Sequence, residues 1–200
     1  MEMPQFDINE ANRLMQERRS IYPNMYSQEQ VDDAIINQML ENANWAPTHR
    51  LTEPWRFVVF KGEGLGALAK FQSELYRELS TTAGTYDETK FNKLANKPLL
   101  ASHIIAIGLK RDPKTSVPEV EEVAAVAAAV QNMYLTATAN GIGCYWGSGG
   151  ITYKKEANDF FGLGADDQLL GFLYVGKPKS DKWPQGRRKP VADKVKWVEG

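Results

Sequence analysis

The segment Val123-Ala-Ala-Val-Ala-Ala-Ala-Val130 constrains this chain more than any other, because it is apolar on nearly every side of the helix read from Glu119 to Asn140. A helix with no polar face has to be covered all round. The chain has 200 residues, the size of one ordinary domain, so one source of that cover is a second subunit. Hydrophobic residues make up 42% and charged residues 24%, a globular balance that supplies a full core.

Charge and cysteine usage exclude several classes. Lys plus Arg number 24 against 25 Asp plus Glu, so the basic excess that neutralises phosphate backbones is missing and no nucleic-acid partner is expected. Cys144 is the only cysteine, which rules out an internal disulfide and a thiolate cluster. His49 and His103 lack the i, i+4 spacing of a zinc pair, so no metal is expected. Residues Met1 to Glu10 carry no apolar stretch of a secretory leader, and no run of about 18 apolar residues occurs. A cytoplasmic, reducing location is therefore expected.

Asp7-Ile-Asn-Glu10 reads as a capping box, and Ile8, Ala11, Leu14, Met15 and Arg18 continue it as one helical stripe ending near Arg19. Ser27-Gln-Glu-Gln30 predicts a second helix start, with Val31, Ala34, Ile35, Met39 and Ala43 facing inward and Pro47 ending it. Trp55 to Phe60 predicts a strand, Leu65 to Leu79 a helix with Leu68, Gln72, Leu75 and Leu79 on one side, and Ile104 to Leu109 a short apolar strand. Between them, Thr81 to Asn96 reads as a mobile, partly helical excursion able to cover a pocket. Tyr145 to Gly150 is too glycine-rich for a plain strand interior and reads as a loop. A short helix (Lys155 to Phe161) and a strong strand (Leu169 to Gly176) follow. The tail from Lys177 to Gly200 holds Pro178, Pro184 and Pro190 and has no core-forming pattern of its own. Without repeat or linker, residues 1–200 are one domain with an arm at about 177–200.

Four features could carry chemistry, each with a plainer alternative. Arg18-Arg19-Ser20, at a helix end, either clamps a phosphate through charge-assisted hydrogen bonds or complements the helix dipole. Trp45-Ala-Pro-Thr-His49 leads through Glu53 to an aromatic strand; it suits a heteroaromatic ring with a polar edge, or is an ordinary helix-to-strand connection. Trp146-Gly-Ser-Gly-Gly150 either lets backbone approach a ligand closely or makes a tight bend. Arg187-Arg188-Lys189 is either a solvated cluster or a second clamp on the same anion. Gly62-Glu-Gly64-Leu-Gly66-Ala67 loosely fits a dinucleotide fingerprint, but no strand with an acidic ribose ligand follows about twenty residues on, so a Rossmann site is rejected.

Taken in order, these features resemble the nitroreductase family, in its compact single-domain branch. The resemblance rests on Arg-Arg-Ser after the first helix, Ala46-Pro47 followed by Pro54-Trp-Arg-Phe57, Trp146-Gly-Ser-Gly149 after the central helix, and Gly171-Phe-Leu-Tyr-Val-Gly-Lys-Pro178 before a basic tail. It implies an α+β fold: a three-layer sandwich with a mixed, mainly antiparallel sheet, helices on both faces and a C-terminal arm crossing to the partner of a homodimer. It implies FMN as cofactor and NAD(P)H as co-substrate. Arg18, Arg19 and Ser20 would hold the ribityl phosphate, with Arg188, and Arg187 beside it, completing that clamp. Trp45, Thr48 and His49 would reach the flavin across the interface, and Trp146, Gly147 and Ser148 would line the ring. Two departures stand out. Tyr22 occupies a place where many relatives have a further basic residue, and His49 and Glu53 stand where Asn and Gln are common.

The implied activity is electron transfer from NAD(P)H to a small electrophilic acceptor such as a nitroaromatic, quinone or enone, by a ping-pong cycle. No side-chain nucleophile, acid or base is required, because the cofactor carries the chemistry. The alternative is a flavin-binding protein without turnover of its own: a sensor, a store or a partner-regulated subunit.

Overall fold

A computed structural model describes residues 5–114, 116–180 and 182–199. Four strands form one sheet in the order β1-β2-β4-β3, where β1 is Trp55–Lys61, β2 His103–Leu109, β3 Gly143–Gly147 and β4 Gln168–Gly176. All three pairings are antiparallel, with Trp55 opposite Leu109, His103 opposite Val175 and Gly143 opposite Gly176. The parallel element of the expected mixed sheet is reduced to one isolated bridge, Ser20 to Cys144. β1 leads through helices to β2, which runs antiparallel beside it, so the glycines after β1 do not open a parallel βαβ unit.

Every residue of β2 is buried, because both faces of the sheet are covered, as a three-layer sandwich requires. On one face α2 (Asp33–Asn44) and α5 (Glu119–Ala139) pack Met39, Val126 and Met133 against Ile105, Ile107 and Leu173. On the other, α3 (Glu63–Thr82) and the turn at Lys155–Phe161 pack Leu68, Leu75 and Phe161 against Ile104, Ala106 and Phe172. No helix of the described residues is long and apolar enough to cross a membrane.

Several elements differ from the sequence pattern. α1 (Ile8–Glu17) is capped by Asp7 as expected, but the Glu10 carboxylate accepts from Arg13 rather than from the cap, and none of its residues is buried. α2 starts at Asp33, capped by Asp32, not at the Ser27 box. Long-range anchoring explains the shift. The Val31 N–H donates to Ser102 Oγ (2.8 Å), His103 Nε2 donates to Asp33 Oδ1 (3.0 Å), and the Ser27 N–H donates to Lys177 O (2.8 Å). Residues 27–31 are thereby tied to other elements. With that start, Ile36 is buried where Ile35 is half-buried and Ala34 exposed. The excursion at 81–96 is more helical than its composition suggests: α3 runs on to Thr82 and α4 spans Glu88–Asn96. Tyr145 to Gly147 belong to β3 rather than to a loop.

α5 carries a buried carboxylate in its first turn. Glu122 pairs with Arg111 and its Oε1 accepts from the Asp112 N–H at 3.0 Å. One side of α5 is left open by the chain: Val120 and Ala124 are exposed, and Ala127, Ala128 and Leu135 are half-covered. Of the tail, residues 181 and 200 lie outside the described residues, and 187–199 are exposed throughout.

Candidate functional site

Arg18 closes α1 by donating its N–H to Leu14 O, and the chain then extends alongside β3. Ser20 bridges to Cys144, and the Ile21 N–H donates to Cys144 O at 2.9 Å. Gly143 permits this approach, since a Cβ there would lie 2.9 Å from Ile21. Buried Tyr26 fixes the next turn, its hydroxyl 2.8 and 3.0 Å from the carbonyl oxygens of Ile21 and Tyr174. The geometry delivers Arg18 and Ser20 to a single side chain of α5. The Arg18 guanidinium lies 5.1 Å from the Tyr134 ring centroid, and Ser20 reaches the Tyr134 hydroxyl, which also accepts the Trp146 N–H at 2.6 Å. Burial raises the Tyr134 pKa, and the Ser20 and Trp146 contacts partly offset that rise.

Arg19 turns the other way. Its Nη1 donates to Gln16 O and Arg18 O (2.6 and 2.7 Å), while its Nε is buried without a partner among the described residues. The C-terminal arm lies on this guanidinium. Trp183 Nε1 donates to Glu17 O at 2.6 Å, and Gly186 packs so closely that a Cβ would sit 2.2 Å from Arg19 Nη2. Arg187 and Arg188 follow immediately and are exposed. Thus Gly186, the residue before Arg187, lies against Arg19, more than 160 residues earlier in the chain, at the end of α1.

The Trp146–Gly147 end of β3 is set by an irregularity in β4. Between the pairs Ile107–Gly171 and Gly108–Leu169 the register skips Leu170, a bulge. The carbonyl of Leu170 accepts from Trp146 Nε1 at 3.2 Å, which holds the indole. Gly171, at φ 130°, leaves room for Gly147 O, which a Cβ would approach to 2.5 Å.

Beside this strand end the structure adds a group that the sequence reading passed over. Lys97 Nζ lies 4.4 Å from the ring centroids of both Tyr145 and Tyr174 and pairs with no carboxylate among the described residues. Burial, and secondarily Lys93, lowers its pKa to about 8. Lys97 and Tyr145 line two adjoining cavities. One, of about 270 Å³, includes Gly147, Gly149 and Gly150, and the other, of about 500 Å³, includes Tyr22 and Leu100. Lys90, Lys93 and Lys97 recur at i, i+3 and i+7, a one-face signal available in the sequence but subsumed there in a polar excursion.

Thr48 and His49 stand apart, while Trp45 lines an open surface cavity with Leu14 of α1 and Leu135 and Thr136 of α5. Trp45 is 79% exposed. Thr48 Oγ1 pairs with Thr52 and accepts the Glu53 N–H, and His49 Nδ1 lies 2.5 Å from Glu121 Oε2. Glu121 is 13 residues from Tyr134 on α5, about 20 Å at 1.5 Å per residue. Within one chain, then, His49 is not brought to the Arg18–Ser20 cluster. The segment's backbone is unusual, with Arg50, Leu51 and Glu53 all at positive φ (53°, 54° and 44°).

Comparison with known proteins agrees with this architecture. The Nitroreductase family model matches residues 15–177. "Putative NAD(P)H nitroreductase YfhC" of Bacillus subtilis (strain 168) is 30% identical over 90% of this chain and 90% of its own length. Among solved structures, the "Nitroreductase-like Family Protein" from Bacillus cereus superposes with a TM-score of 0.79 at 27% identity, covering 100% of both chains. A "putative nitroreductase" of Desulfovibrio desulfuricans, solved in complex with FMN, gives 0.66 at 25% identity, with 94% of this chain and 96% of that one covered. With its Arg18–Ser20 cluster, Trp146 at the end of β3 and a family match over most of its length, the chain belongs to the nitroreductase family.

Proposed function

We propose that this protein is an FMN-dependent oxidoreductase that passes electrons from NAD(P)H to a small electrophilic acceptor, such as a nitroaromatic, quinone or enone, and that it works as a homodimer. The observation that carries the reading is the Tyr134 junction, where Arg18, Ser20 and the Trp146 N–H at the end of β3 share one side chain. An anion clamp and a flat apolar surface are thereby adjacent. The residues present fit the cofactor: Arg19 Nε is a buried donor that the described residues leave unsatisfied, and Lys97 is a partly buried cation without a counter-charge.

Arg18, Arg19 and Ser20 would hold the phosphate, with Arg187 and Arg188 closing over it from the arm. Trp146, Gly147 and Ser148 would line the ring, with Lys97 beside its polar edge. Bound FMN would supply the redox chemistry of a ping-pong cycle between NAD(P)H and the acceptor. The protein's part is to position the ring, to place cations near developing negative charge and to exclude water.

Surfaces the single chain leaves open support the dimer. α1 has no buried residue, α5 is uncovered on one side, and Trp197 and Val198 of the arm are exposed. Trp45, Thr48 and His49 would then serve the partner's flavin.

The first test is an absorption spectrum of the purified protein, followed by anaerobic mixing with NADH and with NADPH. Flavin bands that bleach with a nicotinamide, and turnover of a quinone or nitroarene, are expected. Bound flavin that neither nucleotide reduces would identify a binder, and a colourless protein that FMN does not reconstitute would refute the reading. Complementation tests the shared site. Arg18→Ala and the double variant Trp45→Ala/His49→Ala each lose flavin, and a purified heterodimer of the two regains one intact site in two. No regain would place the whole site within one chain.

A further inference from the structure

We propose that the physiological acceptor carries an anionic group, a carboxylate, sulfonate or phosphate, on its aromatic or conjugated frame, and that the lysine face of α4 binds that group in the cavity beside the Gly147–Gly150 turn. This inference rests on the flavin reading above and names its substrate class.

Lys90, Lys93 and Lys97 all line the cavity of about 270 Å³, and no carboxylate does. None of the three takes part in an ion pair among the described residues. A solvated helix face ordinarily interleaves both signs. Here the only acid on α4 is Glu88, in its first turn. The remaining specific contacts of these cations are with aromatic rings, Lys90 4.7 Å from the Tyr76 centroid and Lys97 between Tyr145 and Tyr174.

The cavity is also built for a flat body. Tyr145, Phe172 and Tyr174 line it, and its volume lies at the small end of ligand pockets, fitting a single substituted ring. α4 is seated firmly against the turn: Gly150, at φ 73°, packs so close to Leu94 that a Cβ would lie 2.6 Å away. Mutual repulsion with Lys93 contributes to the lowered pKa of Lys97, and a bound anion would relieve it. The groups that face Lys97 from neighbouring elements are Lys93, Tyr145 and Tyr174.

The same anion chemistry could come from the phosphate of FMN or from the phosphates of the nicotinamide donor, so the experiment separates the three. Protein as purified with its flavin is compared with the Lys90→Gln/Lys93→Gln variant, using 4-nitrobenzoate, its neutral methyl ester and NADPH. The expected result is a KM for 4-nitrobenzoate raised about tenfold or more, a shallower salt dependence, less than twofold change for the ester and for NADPH, and equal flavin per protomer. An equal KM rise for acid and ester overturns the proposal, as does flavin loss in the variant or a change confined to NADPH. Calorimetric titration of 4-nitrobenzoate into the same preparations keeps the anion site separable from the redox reading. Binding by the parent that the variant loses supports the site even if no turnover is seen, whereas no binding by the parent refutes the site whatever the flavin does.

Discussion

Replacing Gly171 by alanine strikes the point where the fold shapes the site. The residue sits in the interior of β4 at φ 130°, and a Cβ there would lie 2.5 Å from Gly147 O and 2.7 Å from Trp146 Nε1. Neither obstacle is the free end of a flexible side chain: one is backbone, the other an indole held by Leu170 O. Backbone strain at such a φ costs about 1–3 kcal/mol, and overpacking a filled interior about another 1–3 kcal/mol. A central sum of about 4 kcal/mol, at roughly 2–4 °C per kcal/mol for a domain this size, lowers Tm by about 8–16 °C. Circular dichroism melts at matched protomer concentration measure it, since a dimer's Tm depends on concentration. Relief of the clash must push Gly147 or Trp146 outward, so flavin per protomer should fall as well. Gly66→Ala is the internal control. It lies within α3, with nothing within 4 Å of a new Cβ and no positive φ, so it should raise stability by about 0.4–1 kcal/mol. If Gly171→Ala melts within about 3 °C of the parent and keeps its flavin, the reasoning about the bulge is wrong.

Tyr134→Phe removes the acceptor of the Trp146 N–H, which costs about 1–3 kcal/mol; flavin titration should show affinity about tenfold weaker, and unchanged affinity would refute the junction's role. Glu122→Gln keeps an acceptor for Asp112 N–H but leaves the Arg111 side chain, 15% exposed, without its counter-charge. It should lower stability by about 3 kcal/mol in urea melts, and Arg111→Met/Glu122→Leu should recover much of that loss. Lys97 is charged below its folded pKa of about 8 and neutral above it, so the affinity for 4-nitrobenzoate should fall as pH rises through 8, and should lose that step in Lys97→Met. Because its folded pKa is depressed, the unfolded chain binds the extra proton between about pH 8 and the ordinary lysine value of about 10.4, and this group's contribution to stability rises with pH across that window. Urea melts of the parent and Lys97→Met should converge there, and curves that stay parallel would count against a desolvated lysine.

Strands were legible wherever local pattern and tertiary demand agree. Trp55 to Phe60 and Leu169 to Gly176 are β-branched, aromatic and buried between helices, and the structure extends each by one residue, to Lys61 and from Gln168. The pattern fails where a distant partner decides. Ser27 reads as a helix cap because its spacing to Gln30 is right, yet Ser102, 71 residues beyond Val31, takes the Val31 N–H. Gly147 reads as loop because glycine weakens a strand. It belongs to one because it pairs with Phe172 of β4, where Tyr145 leaves little room for a side chain. At the site, Arg18 and Ser20 were readable as a cluster, but Tyr134 was hidden among the apolar residues of α5, since its hydroxyl matters only through contacts brought by β3 and the end of α1.

The features a single chain leaves unexplained have a common direction. α1 is amphipathic yet buries nothing, α5 is apolar on a side that the chain does not cover, and the arm beyond Gly186 has no core. Arg50, Leu51 and Glu53 hold positive φ, a conformation that costs non-glycine residues free energy and persists only where surroundings over-determine it. In this chain the tie holding the preceding residue is His49 to Glu121, between two half-exposed side chains, and exposed ion pairs contribute little. A second copy laid on α5 would cover that helix and enclose residues 45–53 at the same time. The strain would then be offset by burial at an interface, and His49, whose partner Glu121 lies about 20 Å along α5 from Tyr134, would be placed to meet the other chain's phosphate cluster.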